Sequence, residues 1–227
     1  MTDAKKVSTL KKGRNVVCLE VLSENQRKEF VRDGSPSSWL EYGEELRDAA
    51  EILWSREEDG LKLNATLNRN FEILARESAS GVSKPYMLLA GFALENVLKG
   101  MLVARRPEHI TSGSLSNELS THDIVRLAKR TVGLSLSKQE LQFCKSVSDA
   151  IPYWGRYPIP LRKTQLMASI ALTKGMRKTF LRLFDRLASS LYWDIRDGWD
   201  SGIGVQLTKM RSRRYGDVIH EMEPLHK

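Results

Sequence analysis

The strongest candidates for a chemical role are an acid and a base that interrupt the most apolar stretch of the chain. From Tyr86 to Ala104 the sequence reads YMLLAGFALENVLKGMLVA, and only Glu95 and Lys99 carry charge in it. Residues four apart share one face of a helix, and an acid that precedes a base by four residues forms a favourable pair. The spacing therefore predicts an intrahelical ion pair, which either stabilises the fold or takes part in binding a ligand.

Three further residues could complete a polar site with this pair. His122 stands near a predicted helix start, and Arg156 and Tyr157 lie in a proline-rich segment. A carboxylate, an ammonium, an imidazole and a guanidinium that meet near a helix start would suit a phosphate or a nucleotide. Each residue also has a structural explanation: a buried ion pair for Glu95 and Lys99, a packed or capping role for His122, and a pinned turn for Arg156 and Tyr157. The sequence leaves both interpretations open.

Positive charge is concentrated near the C-terminal end. The formal net charge is +8, and the stretch from Arg162 to Arg214 holds twelve Lys or Arg against four Asp. Clustered basic charge indicates an anionic partner, with nucleic acid first, although it also occurs on solvated helix faces. Four basic residues recur every four positions beside an apolar stripe that runs from Phe180 to Ile195, and they are the candidate nucleic-acid contacts: Lys174, Lys178, Arg182 and Arg186.

The sequence contains no recognisable metal, cofactor or disulfide signature. Cys18 and Cys144 are far apart and match no metal or redox spacing, which indicates reduced thiols in a cytoplasmic protein. No histidine or cysteine pair has zinc spacing, and no glycine-rich phosphate loop or nucleophile elbow occurs. The N-terminal residues lack the apolar run of a secretory signal. We therefore expect no metal, no cofactor, no membrane association and a cytoplasmic location.

Helices are predicted to position these residues. Apolar side chains cover nearly the whole circumference of the stretch from Tyr86 to Ala104, so this helix must be buried by other helices. Its two charges argue against a membrane span, and Ser83 is the predicted N-cap. Apolar residues at three- and four-residue steps predict further amphipathic helices from about Ser38, from Leu61 to Ala79, from about Ser137, and from Thr164 to Ile195.

A capping signal places another, shorter helix directly after residue 120. Ser120 and Asp123 have the spacing of a capping box, in which the acid returns to the amide of the serine. Gly133 is suited to end that helix, because glycine readily adopts the left-handed conformation of a C-cap. His122 would then lie at the N-terminal end of this helix.

These elements define an all-α fold with extensions at both ends. We expect a polar and basic N-terminal arm over residues 1–35, a bundle of about five helices over residues 36–196, and a basic C-terminal tail over residues 197–227. Trp39, Tyr42 and Leu46 begin the apolar face of the first bundle helix. The apolar island from Val16 to Leu22 fits either a short strand or a packed arm. No convincing sheet is visible, and the glycines between 198 and 216 predict a flexible tail unless something pins it.

Three motifs in this order resemble those of the HEPN family, the higher eukaryotes and prokaryotes nucleotide-binding domain. They are ALENVLKG at 93–100, THDIVRL at 121–127 and GRYP at 155–158. HEPN sequences tend to read E-x-x-x-K on a buried helix, T-H-D-L at the start of the next helix and R-Y-P past a third. The resemblance covers roughly residues 38–195 and implies a compact helical bundle that often forms dimers.

The resemblance implies ribonuclease activity only where four to six residues separate an arginine from a following histidine on the last bundle helix. There the histidine acts as acid or base on the ribose 2′-hydroxyl, while the arginine stabilises the developing charge. The last predicted helix of this chain contains no histidine. Arg105 and His109 have only three residues between them, and the one match to the spacing, Arg214 and His220, lies in the tail.

The expected function is therefore a non-catalytic HEPN-like module that binds RNA or a nucleotide and acts as a homodimer. Family analogy implies a use in bacterial defence or in a toxin–antitoxin system. Two alternatives remain. One is a metal-independent ribonuclease that uses Arg214 and His220 across a dimer interface, and the other is a structural partner subunit of a nucleotidyltransferase.

Overall fold

The computed structural model describes residues 9–12, 15–18, 22–55, 61–67, 73–80, 83–154, 172–212 and 214–215. Within these ranges the chain forms six α-helices: α1 (Glu24–Asp33), α2 (Pro36–Ser55), α3 (Ser83–Arg105), α4 (Ile124–Arg130), α5 (Lys138–Trp154) and α6 (Lys174–Ile195). Three antiparallel hairpins accompany them: β1 (Thr9–Lys12) with β2 (Asn15–Cys18), β3 (Leu61–Leu67) with β4 (Ile73–Ser80), and β5 (Trp199–Asp200) with β6 (Gln206–Leu207). Helices dominate, so the fold is an all-α bundle, as predicted.

The bundle is arranged around α3. Helices α2, α4, α5 and α6 all pack against it. In the described part of the chain, α3 is the one helix long and apolar enough to cross a membrane, and 78% of its most apolar window is buried by the rest of the fold. Its neighbours approach closely at Gly100, where a Cβ atom would lie 2.7 Å from Leu191 and 2.9 Å from Trp39. Ser83, the predicted N-cap, is instead the first helical residue of α3. Its hydroxyl accepts a hydrogen bond from the amide of Leu172.

Helix α2 lies against α3 as predicted, but only part of its predicted apolar face turns inward. Leu40, Gly43 and Ala50 are buried, whereas Tyr42, which belongs to the predicted apolar face, is 55% exposed. A Cβ atom on Gly43 would come within 2.9 Å of the side chain of Val97. The small residues therefore set the contact face, because they allow the two helices to approach more closely than the larger side chains would.

Helix α6 closes the bundle from the other side. Thr173 caps it by accepting a hydrogen bond from the amide of Met176. The predicted apolar stripe from Phe180 to Ile195 is confirmed, since all of its members are buried. The predicted start at Thr164 lies outside the described part of the chain, but Leu172 and Thr173 are not helical, so the prediction of one continuous helix from Thr164 is wrong.

The segment predicted as a helix from Leu61 to Ala79 is instead the β3–β4 hairpin. The helix prediction relied on the four-residue spacing of Leu63 and Leu67. In the first half of the segment, leucine and alanine alternate with polar residues at every second position, and a period of two indicates a strand. Strand pairing, with Leu61 opposite Ser80, follows that alternation.

The N-terminal segment holds a helix that the sequence interpretation missed. Ser23 and Gln26 form a capping box at the start of α1, with the Gln26 amide bonded to the Ser23 hydroxyl and the Gln26 side chain bonded to the Ser23 amide. Val31 carries α1 into the hydrophobic core. The apolar island that begins at Val16 contributes to strand β2.

A capping box of the predicted kind occurs at α5 and not at α4. Asp123, and not Ser120, caps α4, and its carboxylate accepts a hydrogen bond from the amide of Arg126 at 2.9 Å. Ser137 and Glu140 exchange the two hydrogen bonds of a capping box at the start of α5. The predicted starts of both helices are correct to within a few residues, but the box at Ser120 is wrong.

The segment after α6 is fixed to the bundle as far as Tyr215. The Met210 amide donates to the Arg196 carbonyl, and the Tyr192 hydroxyl donates to the Met210 carbonyl and accepts from the Ser212 amide. Tyr215 is buried, with its ring centroid 5.7 Å from that of Tyr192. The predicted flexibility applied only if nothing pinned the tail, and hydrogen bonds and aromatic packing hold the described residues of this segment.

Candidate functional site

The ion pair predicted from the sequence is formed and buried in α3. The Lys99 ammonium lies 2.6 Å from Oε1 of Glu95, and each side chain is only 7% exposed. The ammonium also lies 5.9 Å from the ring centroid of Trp39 on α2. Removal of two charges from water is expensive unless they remain paired. Each member of this pair therefore depends on the other.

His122 joins the pair from the loop before α4. Its Nδ1 atom lies 3.1 Å from both carboxylate oxygens of Glu95. The Thr121 hydroxyl accepts from the Asp123 amide and Asp123 caps α4, so the backbone on the C-terminal side of the histidine is fixed. The His122 side chain is nevertheless 58% exposed. A buried carboxylate thus orients an imidazole at the surface.

This arrangement leaves one ring nitrogen for other partners. The hydrogen bond made by one nitrogen of a histidine sets the role of the other, and here Nδ1 faces Glu95. Nε2 is then the atom through which His122 can bind an anion, when protonated, or exchange a proton. Three of the five predicted ligand residues are brought together. The other two, Arg156 and Tyr157, lie outside the described residues.

The four predicted nucleic-acid contacts are all exposed on α6. Arg186 is tethered to the start of α5, with Nη2 donating to Oε1 of Glu140 at 2.8 Å. Burial acts to raise the pKa of Glu140, but hydrogen bonds from Ser137 and Arg186 hold it below its ordinary value. Among the described residues, no carboxylate oxygen lies within 4.0 Å of the side-chain nitrogens of the other three, which are Lys174, Lys178 and Arg182. We call these four residues the basic face of α6.

The candidate catalytic pair is only half described. Arg214 lies against α2, where Nη1 is 3.8 Å from Glu44 and Nη2 is 3.5 Å from Asp48. His220 lies outside the described residues. The structure thus shows an arginine engaged with two carboxylates of the bundle.

A second polar cluster, which sequence reasoning missed, connects three helices. Glu51 of α2 accepts two hydrogen bonds at 3.1 Å from Nε of Arg177 on α6, a short bond from Nη2 of the same residue, and one at 3.1 Å from the Tyr86 hydroxyl on α3. The guanidinium also lies 5.3 Å from the ring centroid of Trp54. Burial, with the nearby Glu51 carboxylate, raises the pKa of Tyr86. We call these residues the Glu51 cluster. No local sequence signal could have found it.

At the junction of α2, α6 and the C-terminal segment, two carboxyl groups have shifted pKa values. Burial raises the pKa values of Glu44 and Asp185. Arg47 lies between the helices, 2.7 Å from Asp48 and 3.6 Å from Asp185. Burial and the neighbouring Glu44 raise the pKa of Tyr215. The charges here connect structural elements, which indicates a stabilising role.

A further histidine occupies the opposite kind of environment from His122. His109 is buried, and its Nδ1 lies 2.8 Å from the Ser116 hydroxyl. Its Nε2 is buried without a hydrogen-bond partner among the described residues, 3.9 Å from Glu118. Burial, helped by Arg106, lowers the pKa of His109. This histidine is therefore held in its neutral form.

Comparisons with known proteins give no relative from which a function could be transferred. No family model matches this chain, and neither a curated protein nor a solved structure matches it. In the part of the chain that the structure describes, no group of three or more His, Cys, Asp or Glu side chains could hold a metal ion. Cys144 is buried there as a free thiol, and burial raises its pKa to about 12.

Proposed function

We propose that this protein is a non-catalytic HEPN-like module that binds RNA or a nucleotide through phosphate contacts. The observation that carries the proposal is the basic face of α6, which is solvent-exposed along its whole length. At a rise of 1.5 Å per residue, its four cations span about 18 Å of helix. A row of cations of that length suits several consecutive phosphates of a single strand better than one small anion.

The contact between Glu95, Lys99 and His122 supports the family part of the proposal. The E-x-x-x-K and T-H-D motifs are 27 residues apart at their point of contact, yet their polar side chains meet. In our proposal the Nε2 atom of His122 contributes a ligand contact at this site, with Arg156 and Tyr157 as further contacts. Glu95 and Lys99 hold the imidazole in place from within the bundle.

Salt-dependent binding tests the proposal directly. Fluorescence anisotropy with a mixed single-stranded RNA should show affinity that falls with salt, because each phosphate contact releases a counterion. Neutralising Lys174, Lys178 and Arg182 together to Gln should flatten the slope of log K against log salt by about 0.7 for each lost contact. The matched control is the same substitution at Lys84, Lys129 and Lys145, which are exposed on other helices.

The control variant has the same net charge as the test variant. If both variants lose affinity equally, the basic face has no specific role and the protein attracts RNA only by overall charge. If the wild-type protein binds neither RNA nor a nucleotide, the proposed function is wrong.

The proposal includes a homodimer in the cytoplasm. Tyr42 and Ile52 are large apolar residues exposed on α2, and a two-fold dimer is the commonest closed assembly. Sedimentation at micromolar concentration should give about twice the chain mass of 25.8 kDa. A monomer at all such concentrations would remove this part of the proposal.

Co-purification of a nucleotidyltransferase would favour the partner-subunit alternative. Use in defence or in a toxin–antitoxin system rests on family analogy alone.

One observation favours a second candidate, the metal-independent ribonuclease. The packing of the C-terminal segment as far as Tyr215 places Arg214 in a defined position, which removes the objection that this residue is too mobile for catalysis. Incubation with mixed RNA in the presence of a chelator tests the candidate. Cleavage that disappears in His220→Ala would establish this function in place of ours, and cleavage that persists would point to His122 or to a contaminant.

A further inference from the structure

A groove of about 720 Å³ lies between the first half of α5 and the first turns of α6. Its size falls within the roughly 300–1,000 Å³ typical of small-molecule sites. Phe143 and Met176 contribute apolar surface, and Gln139 and Gln142 contribute side-chain amides. Both glutamines are exposed, and within the described residues neither amide makes a hydrogen bond to another side chain. The groove therefore combines an apolar surface with free polar groups.

This combination suits a flat heteroaromatic ring. The Phe143 ring is itself stacked on Phe180 at a centroid distance of 5.9 Å, so the apolar side of the groove is held by the core. Each glutamine amide offers two donors and an acceptor with two lone pairs. The edge of a nucleobase presents the same mixture of donors and acceptors, while its face is satisfied by apolar or aromatic contact.

Positive charge lies at the groove and next to it along α6. Lys138 lines it, and on α6 its lining residues Gly175 and Thr179 directly follow Lys174 and Lys178. The groove is thus adjacent to the basic face of α6. A strand whose phosphates follow that face would bring its bases close to the groove.

We propose that the α5–α6 groove receives one unstacked base of the bound RNA strand. Gln139 and Gln142 contact the edge of the base, Met176 contacts its face with the buried Phe143 behind it, and Lys138 contacts the adjoining phosphate. This inference rests on the proposed function and adds sequence preference to it. Phosphate contacts carry no sequence information, so any preference among bases must come from such a pocket.

Gly175 offers a way to close the groove without damage to the fold. A Cβ atom there would meet only the Thr173 hydroxyl, at an ordinary 3.7 Å, and leucine is a better helix former than glycine. Gly175→Leu should melt no earlier than the wild type, yet its side chain should fill the groove. We expect its affinity for mixed single-stranded RNA to fall at least about tenfold, with an unchanged salt slope.

Gln142→Leu tests the edge contact separately, because it keeps a side chain of similar size and removes the amide. It should alter the relative affinities for oligo-A, oligo-U and oligo-C while the affinity for mixed RNA changes less. Asn25→Leu is the matched control, because it likewise replaces an exposed side-chain amide by leucine, but on α1 and outside the groove. It should leave both quantities at their wild-type values.

The outcomes separate this inference from the proposed function. If the wild type binds RNA with a steep salt slope but Gly175→Leu and Gln142→Leu behave like Asn25→Leu, the base pocket is wrong and the proposed function stands. If the wild type binds neither RNA nor a nucleotide, both fall together. If a free nucleoside monophosphate binds as tightly as RNA and Gly175→Leu abolishes that binding, the occupant is a free nucleotide and the RNA assignment is overturned.

Discussion

Glu95 and Glu51 have similar hydrogen-bond partners, but the partners differ in their exposure to solvent. Each carboxylate accepts hydrogen bonds from a basic side chain and from a third polar group. Glu95 takes its base, Lys99, from the same helix and its third partner, His122, from a surface loop. Glu51 takes both of its partners from other helices. The third partner of Glu51 is therefore buried inside the bundle, whereas the third partner of Glu95 lies at the surface.

The position of the third partner is what separates a structural cluster from a candidate site. In the Glu51 cluster, the Tyr86 side chain is fully buried and α2, α3 and α6 are joined. At Glu95, the third partner is more than half exposed, and its Nε2 atom makes no hydrogen bond within the described part of the chain. The third partner of Glu95 is therefore open to a ligand, whereas the third partner of Glu51 is not. The following predictions test this difference, from the largest expected effect to the smallest.

The largest effect is expected at Glu95, because its removal leaves the Lys99 ammonium buried without a partner. Glu95→Ala should lower the free energy of unfolding by about 3–5 kcal/mol, measured by denaturant titration. The double variant Glu95→Leu/Lys99→Met should recover much of that loss, since neither charge then remains. A loss below about 1 kcal/mol for the single variant would mean that Lys99 reaches water.

A smaller loss is expected in the Glu51 cluster, because its partners are partly solvated. The Arg177 and Glu51 side chains are 34% and 22% exposed. Glu51→Gln should cost about 1–2 kcal/mol, below the upper end for hydrogen bonds to charged groups. A double-mutant cycle with Tyr86→Phe should show a coupling of at least about 0.5 kcal/mol. Strict additivity would mean that the cluster does not act as a unit.

The environment of His109 predicts a pH effect on the stability of the fold. Its folded-state pKa lies below the ordinary value of 6.5, so the unfolded chain binds the proton more tightly. Stability should therefore fall as the pH drops below about 6.5, by at most roughly 1.4 kcal/mol per pH unit. His109→Gln should flatten this part of the stability–pH curve relative to that of the wild type. An unchanged curve in His109→Gln would assign the slope to other groups.

The smallest effect on stability is expected at His122. His122→Ala removes an exposed ring, while Lys99 still neutralises Glu95, so the free energy of unfolding should change by no more than about 0.5 kcal/mol. Under the proposed function, RNA or nucleotide affinity should fall in the same variant. A loss of stability above about 1 kcal/mol would instead group His122 with the structural residues of the Glu51 cluster.

Side-chain pairs within one helix could be predicted from the sequence, whereas contacts between helices far apart in the chain could not. Glu95 and Lys99 are four residues apart on an apolar helix, so their pairing follows from helical geometry. Glu51 and Arg177 are 126 residues apart, and no local pattern connects them. The approach of His122 to Glu95 was expected only as one of two interpretations, because it depends on where the loop before α4 is held.

The same limit explains which parts of the fold could be predicted from the sequence. The buried faces of α3 and α6 follow from apolar spacing over long segments, and these predictions are confirmed. Between Leu61 and Ala79 a four-residue spacing and a two-residue alternation coexist, and the chain adopts the strand period. The inward face of α2 depends on Gly43. A hydrophobic scale gives little weight to that glycine, although a close approach between helices requires it.

The link between Glu51 and Arg177 also has a consequence during protein synthesis. A ribosome adds about 5–20 residues per second, so Arg177 emerges roughly 6–25 s after Glu51, which precedes it by 126 residues. Helix α3 emerges within that interval, without α6 to cover its apolar side. We expect the nascent chain to depend on chaperones over this period, and translation of α6 to be the step that releases it.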